Sequence, residues 1–145
     1  MYPWEPGGLA VIQTANLQRT EAEETVGTPE RAAAVLTQAL VNAARILGVT
    51  QARIGQALGV SGSTVSRMFD GKYRLDPRGK EWELGTLLVR MFRSLDSIVG
   101  ADDTAARAWL RTDHRSLGGC PIDLIRSAEG LVRVVQYLDA ARGRN

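Results

Sequence analysis

The chain has 145 residues, of which 44% are hydrophobic, enough to bury a core in one domain or two small ones. An apolar run of about 18 residues is absent, and residues 1–10 lack the basic-then-apolar order of a secretory signal, so neither a membrane span nor export is expected. The single cysteine, Cys120, excludes an internal disulfide framework and favours a cytoplasmic location.

The net charge of +2 hides a strongly uneven distribution along the chain. Residues 31–80 contain eight basic and two acidic side chains, whereas residues 1–30 contain five acidic side chains and only Arg19 as a base. Residues 81–145 contain equal numbers of each sign. A basic middle segment favours a polyanionic partner, as neutralisation of DNA phosphates requires.

The chain begins with a segment that has no sustained period. Residues 1–27 mix Pro, Gly, Thr and Glu, and we interpret them as a mobile N-terminal arm. Thr28-Pro29 is typical of a helix start, and apolar residues at three-and-four spacing then predict a helix as far as Leu47. Gly48 closes this helix.

The rest of the chain also shows helical signals and no alternating strand pattern, which predicts an all-α fold. Asp76-Pro77 repeats the helix-start signal for a long helix that Gly100 ends. A loop is expected from Thr112 to Cys120. We expect a helix-turn-helix domain at 28–75 and a second helical domain at 76–145. Helices are predicted at 51–58, 62–69, 77–99, 103–111, 121–126 and 128–142.

Residues 50–69 have the pattern of a helix-turn-helix. Two short helices are separated by Gly59-Val60, and the second opens with Ser61, a good N-cap. Apolar residues on both helices predict a steep crossing, which would leave one face of the second helix able to enter the DNA major groove. These apolar residues are Ile54, Leu58, Val60, Val65 and Met68.

The second helix of this motif and the residues around it supply the candidate DNA-binding residues. Arg67 is the strongest candidate for base recognition, because its planar fork matches guanine; the alternative is a solvated helix arginine. Gln51 can bring its amide and a helix N-terminus to a phosphate. Lys72 and Arg74, followed by Arg78 and Lys80, are expected along the DNA backbone. The remaining candidates, for phosphates, waters or bases, are Ser61, Gly62, Ser63, Thr64 and Ser66.

Side chains that could support catalysis or bind a metal are scarce. His114 and Cys120 lie six positions apart near Asp113 and Asp123, but zinc needs three or four ligands at defined spacing. Gly118-Gly119 lacks the lysine of a phosphate-binding loop. We therefore expect no enzyme activity, no metal and no cofactor.

The second half of the chain resembles a known family. Together with the helix-turn-helix, its motifs resemble the Xre/ParS/MbcA antitoxins of bacterial RES–Xre toxin–antitoxin pairs, over roughly residues 30–145. The matching residues are Trp109-Leu110, Leu117-Gly118-Gly119, Pro121-Ile122-Asp123-Leu124-Ile125, Glu129-Gly130, Val134-Val135 and Leu138.

The resemblance implies two partners, operator double-stranded DNA and a cognate RES-domain toxin that consumes NAD or transfers ADP-ribose. The protein would repress its own operon as a homodimer, associate with the nucleoid when on the operator, and block the toxin's active site. Arg142 and Arg144 would offer cations near the toxin's NAD pocket; alternatively, they are solvated and complement the helix dipole. The toxin-binding residues so implied are Leu117, Gly118, Gly119, Pro121, Arg142, Arg144 and Asn145.

Two other functions remain open from the residues alone. The chain could be a stand-alone dimeric repressor whose C-terminal helices sense a small ligand or only oligomerise. It could also be a nucleoid or partition protein with little sequence preference, in which case binding would show a steep salt dependence and little difference between operator and random DNA.

Overall fold

A computed structural model of the chain describes residues 27–143. The predicted N-terminal arm, apart from Gly27, lies outside these residues, as do Arg144 and Asn145. Of the described residues, 33–143 belong to one compact unit. The helices of the described residues are α1 (Pro29–Leu47), α2 (Gln51–Leu58), α3 (Gly62–Phe69), α4 (Lys80–Val99), α5 (Asp103–Leu110), α6 (Pro121–Leu124) and α7 (Ala128–Arg142).

The predicted all-α fold is confirmed, and within residues 27–143 the only β-type pairing is an isolated bridge between His114 and Gly119. The start of α1 is also as predicted, because Thr28 Oγ1 accepts a hydrogen bond from the backbone N–H of Arg31 at 3.3 Å. Gly48 ends α1 with φ +64°, a left-handed conformation that glycine adopts without steric cost.

Helix α4 is the central element of residues 33–145. It packs most extensively against α7, and also against α2 and α5. The reason is its apolar stripe: Leu88, Met91 and Leu95 recur at three-and-four spacing and are fully buried. One hydrophobic core therefore extends from the helix-turn-helix into the C-terminal helices. The domain division at 75 and 76 stays a prediction.

The predicted start of the long helix at Asp76-Pro77 is wrong, because α4 begins at Lys80. Asp76 Oδ1 accepts from the backbone N–H of Arg78 at 3.0 Å, and the Asp76 carbonyl accepts from that of Gly79 at 3.0 Å. An aspartate followed by proline supports such a turn as well as a helix start. The signal therefore marks a turn, and Gly79 precedes the helix without a side-chain cap.

The segment between α3 and α4 is fixed to the core by a buried threonine. Thr37 Oγ1 donates to the Ala33 carbonyl at 2.6 Å and accepts from the backbone N–H of Leu75 at 3.0 Å. Leu75 is itself fully buried. Both hydrogen-bonding capacities of the hydroxyl are used, so its burial costs little. This anchor gives the segment that follows α3 a defined path.

Candidate functional site

Each helix of the motif begins with a side-chain cap, and a left-handed glycine ends the first of them. Thr50 Oγ1 accepts from the backbone N–H of Arg53, and Ser61 Oγ accepts from that of Thr64, both at 3.2 Å. Gly59 has φ +69°, where a residue with a Cβ would be strained. The Ser61 cap and the Gly59 turn fix the start of α3. In a helix-turn-helix this is the end that enters the major groove.

The two helices of the motif cross at Gly55. This residue is buried, and a Cβ added to it would lie 3.2 Å from both the Val60 carbonyl oxygen and Val65 Cγ2. A larger side chain would therefore move α3 relative to α2. The absence of a side chain at Gly55 sets the close approach of the helices, and with it the placement of the exposed face of α3.

The predicted DNA-binding residues of α2 and α3 lie at the surface. Thr64 is half-buried, and the Ser61 hydroxyl lies 3.1 Å from Ser63 Oγ and 3.0 Å from Thr64 Oγ1. Those hydroxyls are thus partly engaged with one another at the N-terminus of α3. Their DNA contacts stay a prediction. The exposed members of the set are Gln51, Ser61, Gly62, Ser63, Ser66 and Arg67.

The side chain of Arg67 lies over an aromatic ring that the sequence analysis did not single out. Its guanidinium carbon is 5.7 Å from the centre of the Tyr73 ring, within the range of a cation–π contact. Tyr73 is held in turn, because its hydroxyl donates to Glu81 Oε1 at 2.5 Å. This hydrogen bond, followed by burial, raises the pKa of Tyr73 to about 12. Glu81 also accepts from the backbone N–H of Asp76 at 3.3 Å.

The basic residues that follow α3 differ in their availability. Lys72 and Arg74 are exposed and form no ion pair within residues 27–143. Arg78 and Lys80 each form a solvent-exposed ion pair with a neighbouring acid, at 3.4 and 4.0 Å. Such pairs are weak and exchange readily for other partners. Lys72 and Arg74 are therefore the best placed of the four for phosphate contacts.

A further arginine supports α3 from behind. Arg45 Nη2 donates to the Phe69 carbonyl at 2.9 Å, and its guanidinium carbon lies 5.5 Å from the centre of the Phe69 ring. It thereby satisfies a carbonyl at the C-terminal end of α3. The sequence shows Arg45 as a base near the end of α1, but nothing local indicates that its partner lies on another helix.

The candidate toxin-binding loop is compact and internally bonded. The His114 N–H donates to the Gly119 carbonyl at 3.1 Å, and Cys120 Sγ donates to the Leu110 carbonyl at 3.2 Å. Leu117 is 2% exposed and Pro121 is buried, so these two side chains anchor the loop. Of the candidate residues in the loop, Gly118 and Gly119 are therefore the ones left to face a partner.

The glycines of this loop are the candidates that reach the surface. Gly118 is exposed with φ +73°, and Gly119 is half-buried. Beside them, the ring centroids of Trp109 and His114 are 4.7 Å apart, and those of Trp109 and Tyr137 are 6.2 Å apart. His114 Nε2 also lies 2.9 Å from the Trp109 carbonyl. His114 thus has a packing role in the loop, and the toxin contacts of the loop stay a prediction.

The C-terminal end of α7 carries the next candidate, Arg142. Its Nη1 donates to Ser94 Oγ at 3.3 Å, and Ser94 donates to Asp139 Oδ1 at 3.3 Å. Asp139 also pairs with Arg90 at 2.5 Å. In this structure Arg142 therefore joins a polar network between α4 and α7. Its role towards a toxin stays a prediction, and Arg144 and Asn145 lie outside the described residues.

Three arginines connect the helix-turn-helix to the C-terminal helices. Arg53 of α2 pairs with Asp123 of α6 at 2.8 Å and donates to the Ile122 carbonyl at 3.3 Å. Arg107 Nε donates to the Ile46 carbonyl at the end of α1 at 2.6 Å. Arg111 Nη2 donates to the carbonyls of Leu47 and Gly48 at 3.1 and 2.8 Å. The helix-turn-helix and the C-terminal helices are thus joined by charge-assisted bonds.

Within residues 27–143, no cluster of three or more His, Cys, Asp or Glu side chains is arranged to hold a metal ion. Over the same residues, the helices are too short or too polar to cross a membrane.

Comparison with protein families agrees with the order of these features. Residues 28–90 match the family model of the antitoxin Xre-like helix-turn-helix domain, and residues 94–144 match that of the antitoxin Xre/MbcA/ParS C-terminal toxin-binding domain. Both are binding domains, which supports DNA and a toxin as partners. No curated protein is significantly similar to the chain in sequence. The two domains in this order place the chain in the family of Xre/MbcA/ParS antitoxins.

Proposed function

We propose that the protein is the antitoxin of a RES-type toxin that consumes NAD or transfers ADP-ribose, that it blocks the active site of this toxin, and that it represses its own operon as a homodimer. The observation that carries the proposal is the succession of an Xre-like helix-turn-helix and an Xre/MbcA/ParS toxin-binding domain on one chain. The bonds that connect α2 to α6 support joint action of the two parts.

On the DNA side, Arg67 reads a base from the exposed face of α3. Tyr73 beneath its guanidinium limits the directions in which the side chain extends. Gln51 at the N-terminus of α2, and Lys72 and Arg74 after α3, contact phosphates and set the position of the motif on the duplex. The small Ser63, Ser66 and their neighbours contribute modest sequence preference, so a two-fold operator and a dimer supply the rest.

On the toxin side, two surfaces act together. The exposed Gly118 and the half-buried Gly119 dock against the toxin, while the buried Leu117 and Pro121 keep the loop in shape. The C-terminal segment, with Arg142, Arg144 and Asn145, enters the NAD pocket. Arginine is suited to this task where the pocket offers acidic side chains, because its planar fork binds a carboxylate in a bidentate manner.

The test uses the chain and the protein encoded beside it in the operon, expressed together and then separated. The separated toxin should consume NAD, and addition of one equivalent of the chain should suppress this activity. The variant Arg142→Ala with Arg144→Ala should inhibit at least about tenfold less well, as expected for loss of contacts at an interface hot spot. Gln136→Ala, which removes another exposed polar side chain from the same helix α7, serves as the control.

Two results would contradict the proposal. If the neighbouring protein neither binds the chain nor consumes NAD when separated, the function moves to that of a stand-alone repressor. If it binds but the double arginine variant inhibits as well as the control, the C-terminal segment does not block the active site.

A further inference from the structure

The outer edge of α1 carries an apolar face that is only partly covered within the described residues. Val35 is 53% exposed and Ile46 is 47% exposed. Within residues 27–143, Val132 is the only other exposed large hydrophobic side chain. Ala39 and Ala43 lie between them on the same side of the helix, since the spacings of four, four and three residues follow the helical repeat. This set of four residues is the α1 face.

The α1 face continues into an open cavity of about 250 Å³ between α1, α4 and α5. Val89 and Phe92 of α4 and Ala106 of α5 form its apolar walls. Single exposed apolar residues are ordinary, but a continuous apolar strip beside an open cavity is typical of an interaction surface. The lining residues come from α1, α4 and α5, so this surface uses none of the candidate DNA-binding residues on α2 and α3.

The rim of the cavity carries charges of both signs. Arg93 and Asp96 of α4 and Asp103 of α5 all line it, and none of the three forms an ion pair within residues 27–143. A face that carries both an arginine and carboxylates can complement the same face of a second copy related by a two-fold axis. In that arrangement Arg93 of each copy meets a rim carboxylate of the other, while the apolar strips cover each other.

We infer that the α1 face and its cavity form the homodimer interface, so that the occupant is a second copy of this chain. The inference rests on the proposed function in that it locates the dimerisation which a two-fold operator requires. Because the α1 face excludes α2 and α3, a dimer formed through it keeps two recognition helices available for half-sites about one helical turn apart or a multiple of it.

The experiment is sedimentation equilibrium of the full chain over a range of concentrations. Wild type should dimerise, and Ile46→Glu should weaken the dimer by at least about tenfold, because it places a charge in an apolar interface. The matched control is Val132→Glu, which makes the same kind of change at the third exposed large hydrophobic residue, on α7. This control should dimerise like wild type.

A second set of variants keeps the test independent of any folding defect at Ile46. Arg93→Asp should weaken the dimer, and combining it with Asp96→Arg or with Asp103→Arg should restore it. Circular dichroism melts of each variant verify the fold. The inference would be overturned if both combinations failed to restore the dimer. It would also be overturned if Ile46→Glu and Val132→Glu weakened the dimer equally.

The remaining outcomes separate this inference from the proposed function. A chain that is monomeric at every concentration but still inhibits the toxin refutes the dimer interface and leaves the antitoxin function standing. If Ile46→Glu dimerises normally but loses toxin binding, the α1 face belongs to the toxin and the inference is wrong. If the dimer depends on the α1 face but no toxin binds, the inference stands and the proposed function fails.

Discussion

Arg53 of α2 and Asp123 of α6 form an ion pair at 2.8 Å that joins the helix-turn-helix to the C-terminal helices. The two side chains are 31% and 50% exposed, so solvent screens the pair and its direct contribution to stability is small. Arg53 also donates to the Ile122 carbonyl at 3.3 Å. The contact therefore serves mainly to orient α6 against α2, and α6 directly follows the candidate toxin-binding loop.

Removing Arg53 and removing Asp123 should have unequal effects on stability. Asp123→Asn should lower the free energy of unfolding by up to about 1 kcal/mol, as expected for a partly exposed pair. Arg53→Ala should cost more, because the Ile122 carbonyl also loses its donor. Urea unfolding of both single variants and of the double variant measures the interaction between the side chains. Strictly additive effects would show that the pair contributes no stability.

Tyr73 should matter for base discrimination through Arg67. Arg67→Ala is expected to cost about 1–3 kcal/mol at one base position, which is typical of a lost bidentate contact. Tyr73→Leu should weaken discrimination at the same position, because the guanidinium loses the ring below it, and Tyr73→Phe should retain it. The measurement is binding to the DNA segment upstream of the coding sequence and to its single-base variants. Loss of discrimination in Tyr73→Phe would instead point to the hydroxyl.

The raised pKa of Tyr73 predicts a loss of stability at high pH. Below pH 10.0, the usual value of a tyrosine, the phenol is protonated in both folded and unfolded chains, and the stabilisation by Glu81 is fully present. As the pH rises towards about 12, the unfolded phenol ionises first, so this stabilisation is lost. Unfolding curves of wild type and Tyr73→Phe should differ in slope over this interval. Parallel curves would show that the fold does not hold the Tyr73 proton.

Gly130 should tolerate no side chain. A Cβ built on it would lie 1.9 Å from the carbonyl oxygen and 2.8 Å from the carbonyl carbon of Leu124, both backbone atoms that cannot move alone. Gly130→Ala should therefore lower the free energy of unfolding by about 1–3 kcal/mol or more. The control is Gly62→Ala, also in a helix, where nothing lies within 4 Å of the added Cβ. Thermal melts of the two variants should differ clearly, and similar melts would contradict the close approach of α6 and α7.

Lys72 and Arg74 should contribute to DNA affinity without contributing to sequence preference. Each substitution by alanine should reduce the slope of log affinity against log salt by about 1 and weaken operator and random DNA equally. Arg115→Ala, which removes an exposed arginine from the loop after α5, should leave the slope unchanged. A specific loss at the operator alone would mean that the residue reads bases.

The helix-turn-helix could be predicted in detail because its signals are local. Ser61 caps the segment that follows it, and Gly59 adopts the left-handed conformation that the turn needs, so α2 and α3 have the predicted bounds. Asp76-Pro77 shows where local signals fail. The same two residues support a turn or a helix start, and the tertiary anchor of Leu75 on Thr37 accompanies the turn.

The sequence by itself determined the all-α fold, the DNA-binding motif and the family, because periodicity, caps and motif order are properties of neighbouring residues. Only the tertiary structure decided which ring lies under Arg67, which carboxylate meets Arg53, and that Leu117 and Pro121 are buried while Gly118 is exposed. These contacts join residues on different elements, and their partners are selected by how the helices pack around α4 and not by spacing along the chain.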